Sequence, residues 1–181
     1  MTATATGIMF SLTDVAIKTP AAVSWIDIPY VLEATYKGSH QTVDLFGDDA
    51  YKDTLHFNQK GEVTVKATKA AMAVLEAITG STSVISGDND ELPIHDAGEL
   101  SPPVMTLRAT TRFIKDDGVT GSAIVYFYRA KCATTFEGFL TMANGKVCEL
   151  ILTFTCADSA YDENNVALAE NSFGRIVMPQ P

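Results

Sequence analysis

The hydrophobic pattern of residues 60–80, KGEVTVKATKAAMAVLEAITG, changes period midway. Val63, Val65 and Ala67 alternate with Glu62, Thr64 and Lys66, the period of two of a strand with one buried and one wet face. Beyond Thr68 the period lengthens, and Ala71, Val74, Leu75 and Ile78 recur at three- and four-residue spacing among strong helix formers. This predicts a helix of about three turns, capped by the Thr68 hydroxyl and closed at Gly80, which can adopt the left-handed conformation. So short a helix is unstable alone and must lie against a sheet.

The same alternation marks further strands. Over residues 104–114, Met105, Leu107, Ala109, Thr111 and Phe113 oppose Thr106, Arg108, Thr110 and Arg112, and Asp116, Asp117 and Gly118 turn the chain back. The return strand, residues 121–129, holds the apolar run IVYFY, which suits a strand covered on both faces. Residues 148–156 present Cys148, Leu150, Leu152, Phe154 and Cys156 on one face. A two-residue Asn144-Gly145 turn would set Glu137 against that face, so a three-residue loop with Gly145 as the bulge is expected instead. That register places Cys132 across from Cys156.

Less regular stretches separate these strands. Residues 1–22 read as an N-terminal arm, and residues 25–36 as extended, with Pro29 at an edge or bulge. Residues 37–54 form a long loop in which Gln41 to Phe46 can pair as one arm of a protruding hairpin, and residues 54–57 lead a short strand. Residues 81–103, with Pro93, Pro102 and Pro103, read as loop. In the tail, residues 157–181, a helix-compatible VALAEN precedes Phe173, Ile176 and Val177, which can add a last strand. The fold class is mainly β with one short helix, in a single domain over residues 23–181.

Composition narrows the function. Charged residues make up only 19% of the chain, which points towards buried interfaces. The net charge of -9, without any run of Lys or Arg, excludes binding of nucleic acid by counterion release. No membrane span and no signal peptide is visible, which places synthesis in the cytosol. Three cysteines at wide spacing are neither a zinc framework nor a disulfide scaffold. His95 beside Asp96 has no nucleophile in a suitable context, and residues 87–91 fail as a calcium loop because Pro93 falls where glycine is needed. Trp25 and the tyrosines read as core or interface aromatics, and nothing argues for an enzyme, a metal or a cofactor.

An arm, a strand, a long protruding loop, a strand running into a short helix that ends in Thr79-Gly80, and then two hairpins occupy the chain in that order. From Trp25 to about Ala157 this order resembles the major tail proteins that build the tail tube of long-tailed bacteriophages; GEVTVKATKAAMAVLEAITG is its most telling part. The resemblance implies a β-sandwich or partly rolled β-barrel with a flanking α-helix. It implies hexameric rings of further copies, whose inner strands join and which stack into a tube through which DNA passes without specific binding. Partners would be other copies, the tape measure and tail completion proteins, with no membrane anchor, and the location would be the virion tail after synthesis in the host cytoplasm. By the same likeness, Gly38, Asp44, Phe46, Gly47, Asp48 and Asp49, with the arm, are expected contacts between rings. Thr68, Leu75, Ile78 and Gly80 are expected to form the structural helix. The length leaves no space for the added immunoglobulin-like domain of many relatives.

Two other classes share part of this pattern. A tube protein of a contractile injection or secretion system, or a head–tail joining protein, uses the same ring plan. A small β-barrel that binds an apolar ligand would instead be a closed monomer with an internal cavity.

Overall fold

The alternating stretches assemble into one large antiparallel sheet. The computed structural model of the chain describes residues 7–20, 22–47, 50–69, 71–86, 88–92, 102–115, 118–133 and 150–178. In chain order the elements are β1 (Gly7–Lys18), β2 (Ile26–Asp27), β3 (Val31–Gly47), β4 (Ala50–Ala67), α1 (Met72–Thr79), β5 (Val84–Ser86) and β6 (Asn89–Glu91). Then follow β7 (Met105–Lys115), β8 (Thr120–Cys132), β9 (Leu150–Cys156), β10 (Ser159–Tyr161), β11 (Ala167–Ser172) and β12 (Gly174–Val177). The main sheet runs β2-β1-β7-β8-β9-β4-β3, with β12 also on β8; β5–β6 and β10–β11 are separate two-stranded pairs.

β1 is second in that order and β3 last, yet the two touch. The sheet therefore rolls back on itself, as a strongly twisted sheet does, without β1 and β3 hydrogen-bonding among the described residues. This is the partly rolled β architecture expected, not a closed barrel. Its core is one cluster in which Val15 and Ile17 of β1, Leu107 of β7, Val63 and Val65 of β4, and Leu152 and Phe154 of β9 meet. The period-two face of residues 62–67 is as expected: Val63, Val65 and Ala67 are buried, while Glu62 is exposed.

Helix α1 belongs to that same core. Val74, Leu75 and Ile78 are buried in it, each worth about 1.5–3 kcal/mol of apolar burial. Gly80 ends the helix at φ 73, with its N–H donating to Glu76 O at 2.8 Å. Thr68 does not cap it. The helix starts at Met72 after Ala71, which offers no side-chain cap, and the Thr68 N–H instead donates to Tyr30 O at 3.1 Å. β4 therefore ends at Ala67, and Thr68 is tied to Tyr30, the residue before β3, rather than turned towards the helix.

Several other expectations are corrected. The described part of the N-terminal arm is β1, paired with β7 from Gly7↔Lys115 to Lys18↔Thr106 and buried at Val15, Ala16 and Ile17. Its weak periodicity arises from register shifts between Phe10 and Leu12 and between Leu12 and Asp14. In the 37–54 stretch the hairpin arm expected from Gln41 to Phe46 is present, with Gln41↔Phe57 and Val43↔Leu55 in register. What is corrected is the loop on either side of it, since the described residues from 37 to 47 and from 50 to 54 belong to β3 and β4. Within residues 81–103, β5 and β6 form a short hairpin. Residues of VALAEN form strand β11, because they pair with β10, and the last apolar group supplies β12 as expected.

The 132–156 register is also corrected. Cys132 lies opposite Phe154 and Cys156 opposite Ala130, two residues away from the expected cysteine pair. A slip of two leaves every side chain on its original face, so pattern alone cannot detect it. Both cysteines are buried free thiols. The turn at Ala143, Asn144 and Gly145 lies outside the described residues.

Candidate functional site

The first candidate surface is the far half of the β3–β4 hairpin. β9 pairs with β4 only from Gly61 to Ala67, so residues 50–60 of β4 have no partner but β3 among the described residues. Beyond Gly38 the hairpin is therefore a two-stranded ribbon, bent by a register shift between Ser39 and Gln41. β3 alone, with 17 residues, is roughly 55 Å long. Its outer edge pairs with nothing among the described residues. Near its base, Tyr30 and Leu32 are 64% and 60% exposed. A free two-stranded ribbon is marginal in water, and an open edge is a template for another strand.

A second feature lies where the roll fails to close. A groove of about 470 Å³ opens between β3 and β12, lined by Leu12, Tyr36, Val125, Phe127, Phe173 and Ile176 among others. Tyr36 stacks on Phe127, with ring centroids 5.2 Å apart. The same ring lies over the cross-strand pair Gly38↔Gly61; a Cβ at Gly61 would come within 2.9 Å of Tyr36 Cε2. Two glycines at one register position thus make room for the aromatic that walls the groove.

β8 is the strand where the sheet divides. Met105 pairs with Ala130 and Leu107 with Phe127, so β8 carries one extra residue there, with Arg129 at φ 46. Past this bulge β8 changes neighbours: residues 130–132 pair with β9, whereas residues 124–127 pair with β12. The apolar run is covered as its composition suggested, since Ile124 to Phe127 are partly buried and Tyr128 is 1% exposed. Burial pushes the Tyr128 phenol up to about 12, and its hydroxyl donates to Glu163 Oε2 at 3.2 Å.

On the opposite face of the sheet, register aligns Asp27, Ala16, Arg108, Tyr126 and Arg175 in one row across five strands. Arg108 ion-pairs with Asp14 at 2.9 Å and lies over the Trp25 ring at 4.8 Å, and Trp25 packs 6.0 Å from Tyr126. Arg175 sits over Tyr126 and is held by the Glu163 and Asp162 carboxylates. On β3–β4, Lys66 bonds Glu33 at 2.9 Å and holds its carboxyl below the usual range, helped by the Thr35 hydroxyl. These contacts stitch strands together; the exposed Lys66–Glu33 pair adds little stability individually. Among the described residues, no group of three His, Cys, Asp or Glu could hold a metal.

The residues expected at ring contacts fall on the hairpin. Gly38 is exposed on β3, and Asp44, Phe46 and Gly47 occupy register positions opposite Thr54, Tyr51 and Ala50. Asp48 and Asp49 lie outside the described residues, as does His95. Leu75, Ile78 and Gly80 act in the helix as expected, and Thr68 does not. The groove and the β8 branch had no separate signal in the sequence, apart from Gly61 within an otherwise regular strand.

No family model matches this chain, and neither does any curated protein. Among solved structures, it is similar to a chain of the cryo-EM structure of the anti-feeding prophage (AFP) baseplate, 6-fold symmetrised. The two are 8% identical, the alignment covers 91% of each chain, and the TM-score is 0.42.

Proposed function

We propose that the chain is a self-assembling structural subunit of a phage-tail-like particle, and specifically a tail tube protein whose rings stack into a conduit for DNA. The observation that carries this reading is the β3–β4 ribbon: a long two-stranded extension whose outer edge has no partner among the described residues. An extension of this kind becomes stable when a neighbouring copy supplies the missing strand or surface. The rolled but unclosed sheet supports the same reading, because joining edges around a ring would remove them. The net charge of -9 suits a conduit that must release a polyanion. The role is structural, without catalysis or cofactor, in rings of six that engage other tail proteins in the virion.

Electron microscopy and light scattering of the purified full chain test this directly. Rings or tubes are expected as concentration rises. A strictly monomeric species up to millimolar concentration, with no rings in infected-cell lysates, would exclude the role. In the tube, Asp44→Lys, Asp48→Lys and Asp49→Lys together should impair assembly while leaving the monomer folded, and normal assembly would remove these residues from the interface.

A further inference from the structure

We propose that β12 is a detachable strap: it covers part of the β8 edge in the monomer and leaves on assembly, when β3 of a second copy takes its place. The inference rests on the assembly reading above and adds what gates it.

The β8 edge is the starting point. Residues 124–127 are the most apolar stretch of β8, a composition suited to a strand flanked and covered on all sides. Yet β9 ends at Cys156, opposite Ala130, and beyond the bulge at Arg129 the four residues of β12 take over this edge among the described residues. Of these, Arg175, Ile176 and Val177 are exposed, and β12 has no strand on its far side among the described residues. Such a strand is held by one ladder alone.

Its anchors are few and separable. Gly174 packs so closely that a Cβ would meet the Tyr126 carbonyl, and Arg175 reaches back to Glu163 and Asp162 on the turn between β10 and β11. Both carboxylates are almost fully buried, whereas the Arg175 side chain is 43% exposed, so water and salt compete for the cationic end of the latch. The strap also stands beside the apolar groove. Val125 and Phe127 form its floor, and Tyr36 of β3 forms a wall.

The occupant we assign is β3 of a second copy. β3 is the long strand whose outer edge is unpaired throughout the described residues, and it exposes the apolar Leu32 and Tyr36 along its base. An edge on one part of the chain that fits a different edge on the next copy is a heterologous contact, which propagates into a ring or a filament. β12 would then serve as an internal stand-in that keeps the free subunit from pairing prematurely.

Locking and loosening the strap in the full chain tests this. The Tyr128 N–H donates to Phe173 O at 2.7 Å, so by alternation Val125 and Ile176 form a non-hydrogen-bonded pair, whose α-carbons lie about 4.5 Å apart, within disulfide reach. Oxidised Val125→Cys with Ile176→Cys should raise the critical concentration for rings by about tenfold or more, and reductant should restore it. Arg175→Glu, repelled by Glu163 and Asp162, should lower it by about tenfold while circular dichroism shows a folded chain. Equal critical concentrations for wild type, lock and Arg175→Glu would overturn the strap and leave the assembly reading intact. Rings from none of the three would remove both. Rings from Arg175→Glu alone would support the strap.

Discussion

Replacing Gly174 with alanine isolates how β12 is held. A Cβ there would overlap the Tyr126 carbonyl oxygen and stand 2.9 Å from its carbonyl carbon and 3.1 Å from Phe127 Cα. All three are backbone atoms of β8, so no side chain can rotate out of the way, and the clash must be relieved by moving β12. Two outcomes compete, and the cheaper one sets the cost. Keeping β12 docked with a shifted backbone resembles overpacking, at about 1–3 kcal/mol. Releasing it loses on the order of four ladder hydrogen bonds at about 1 kcal/mol net each, so the ceiling is about 4 kcal/mol. A loss of about 2 kcal/mol follows, or a melting temperature lower by about 4–8 °C for a chain of this size. Thermal unfolding measures the total, and hydrogen exchange at Tyr126 and Tyr128, whose N–H groups face β12, reports where it arises. Faster exchange confined to those amides marks release, whereas unchanged exchange with lower stability marks strain. A variant that melts within about 1 °C of wild type, with unaltered exchange, would refute the close β8–β12 contact.

Three further outcomes are expected. Ile78→Ala should cost about 2–4 kcal/mol in urea unfolding because Ile78 is 3% exposed in the core, whereas Thr68→Ala, which removes no helix cap, should stay within about 0.5 kcal/mol. Gly80→Ala should cost about 1 kcal/mol, since its φ of 73 strains any residue with a Cβ; a stabilised variant would contradict the left-handed cap. Burial pushes the Cys156 thiol from its ordinary 9.0 to about 11, so the folded chain holds that proton more tightly than the unfolded one. Stability from this group is complete below pH 9 and declines between about pH 9 and 11; Cys156→Ala should flatten that part of the urea midpoint profile, and an unchanged slope would exclude the thiol as its source.

Period and turn chemistry were enough to reveal the local elements. Val63 and Val65 against Glu62 and Thr64, the helix face of Val74, Leu75 and Ile78, and the stop at Gly80 all follow from side-chain spacing and from glycine's access to φ > 0. The apolar face of Leu150, Leu152 and Phe154 was equally legible, because alternation reports burial directly. What alternation cannot report is anything invariant to a shift of two, and so the partner of Cys132 became clear only from the assembled sheet. Register shifts hid β1 within a stretch that reads as an arm, and pairing made a strand of VALAEN, since a neighbour's ladder outweighs weak helix propensity. The hairpin was visible as a long excursion with glycines at 38 and 47, but its identity as a two-stranded ribbon depends on where β9 stops pairing with β4. The division of the β8 edge between β9 and β12, and the groove beside it, arise from a bulge at Arg129 and from contacts between strands far apart in the chain. Local sequence determines which residues extend, coil or turn because those choices are made within a few bonds; which edges remain open is a property of the whole sheet, and only the tertiary structure decided it.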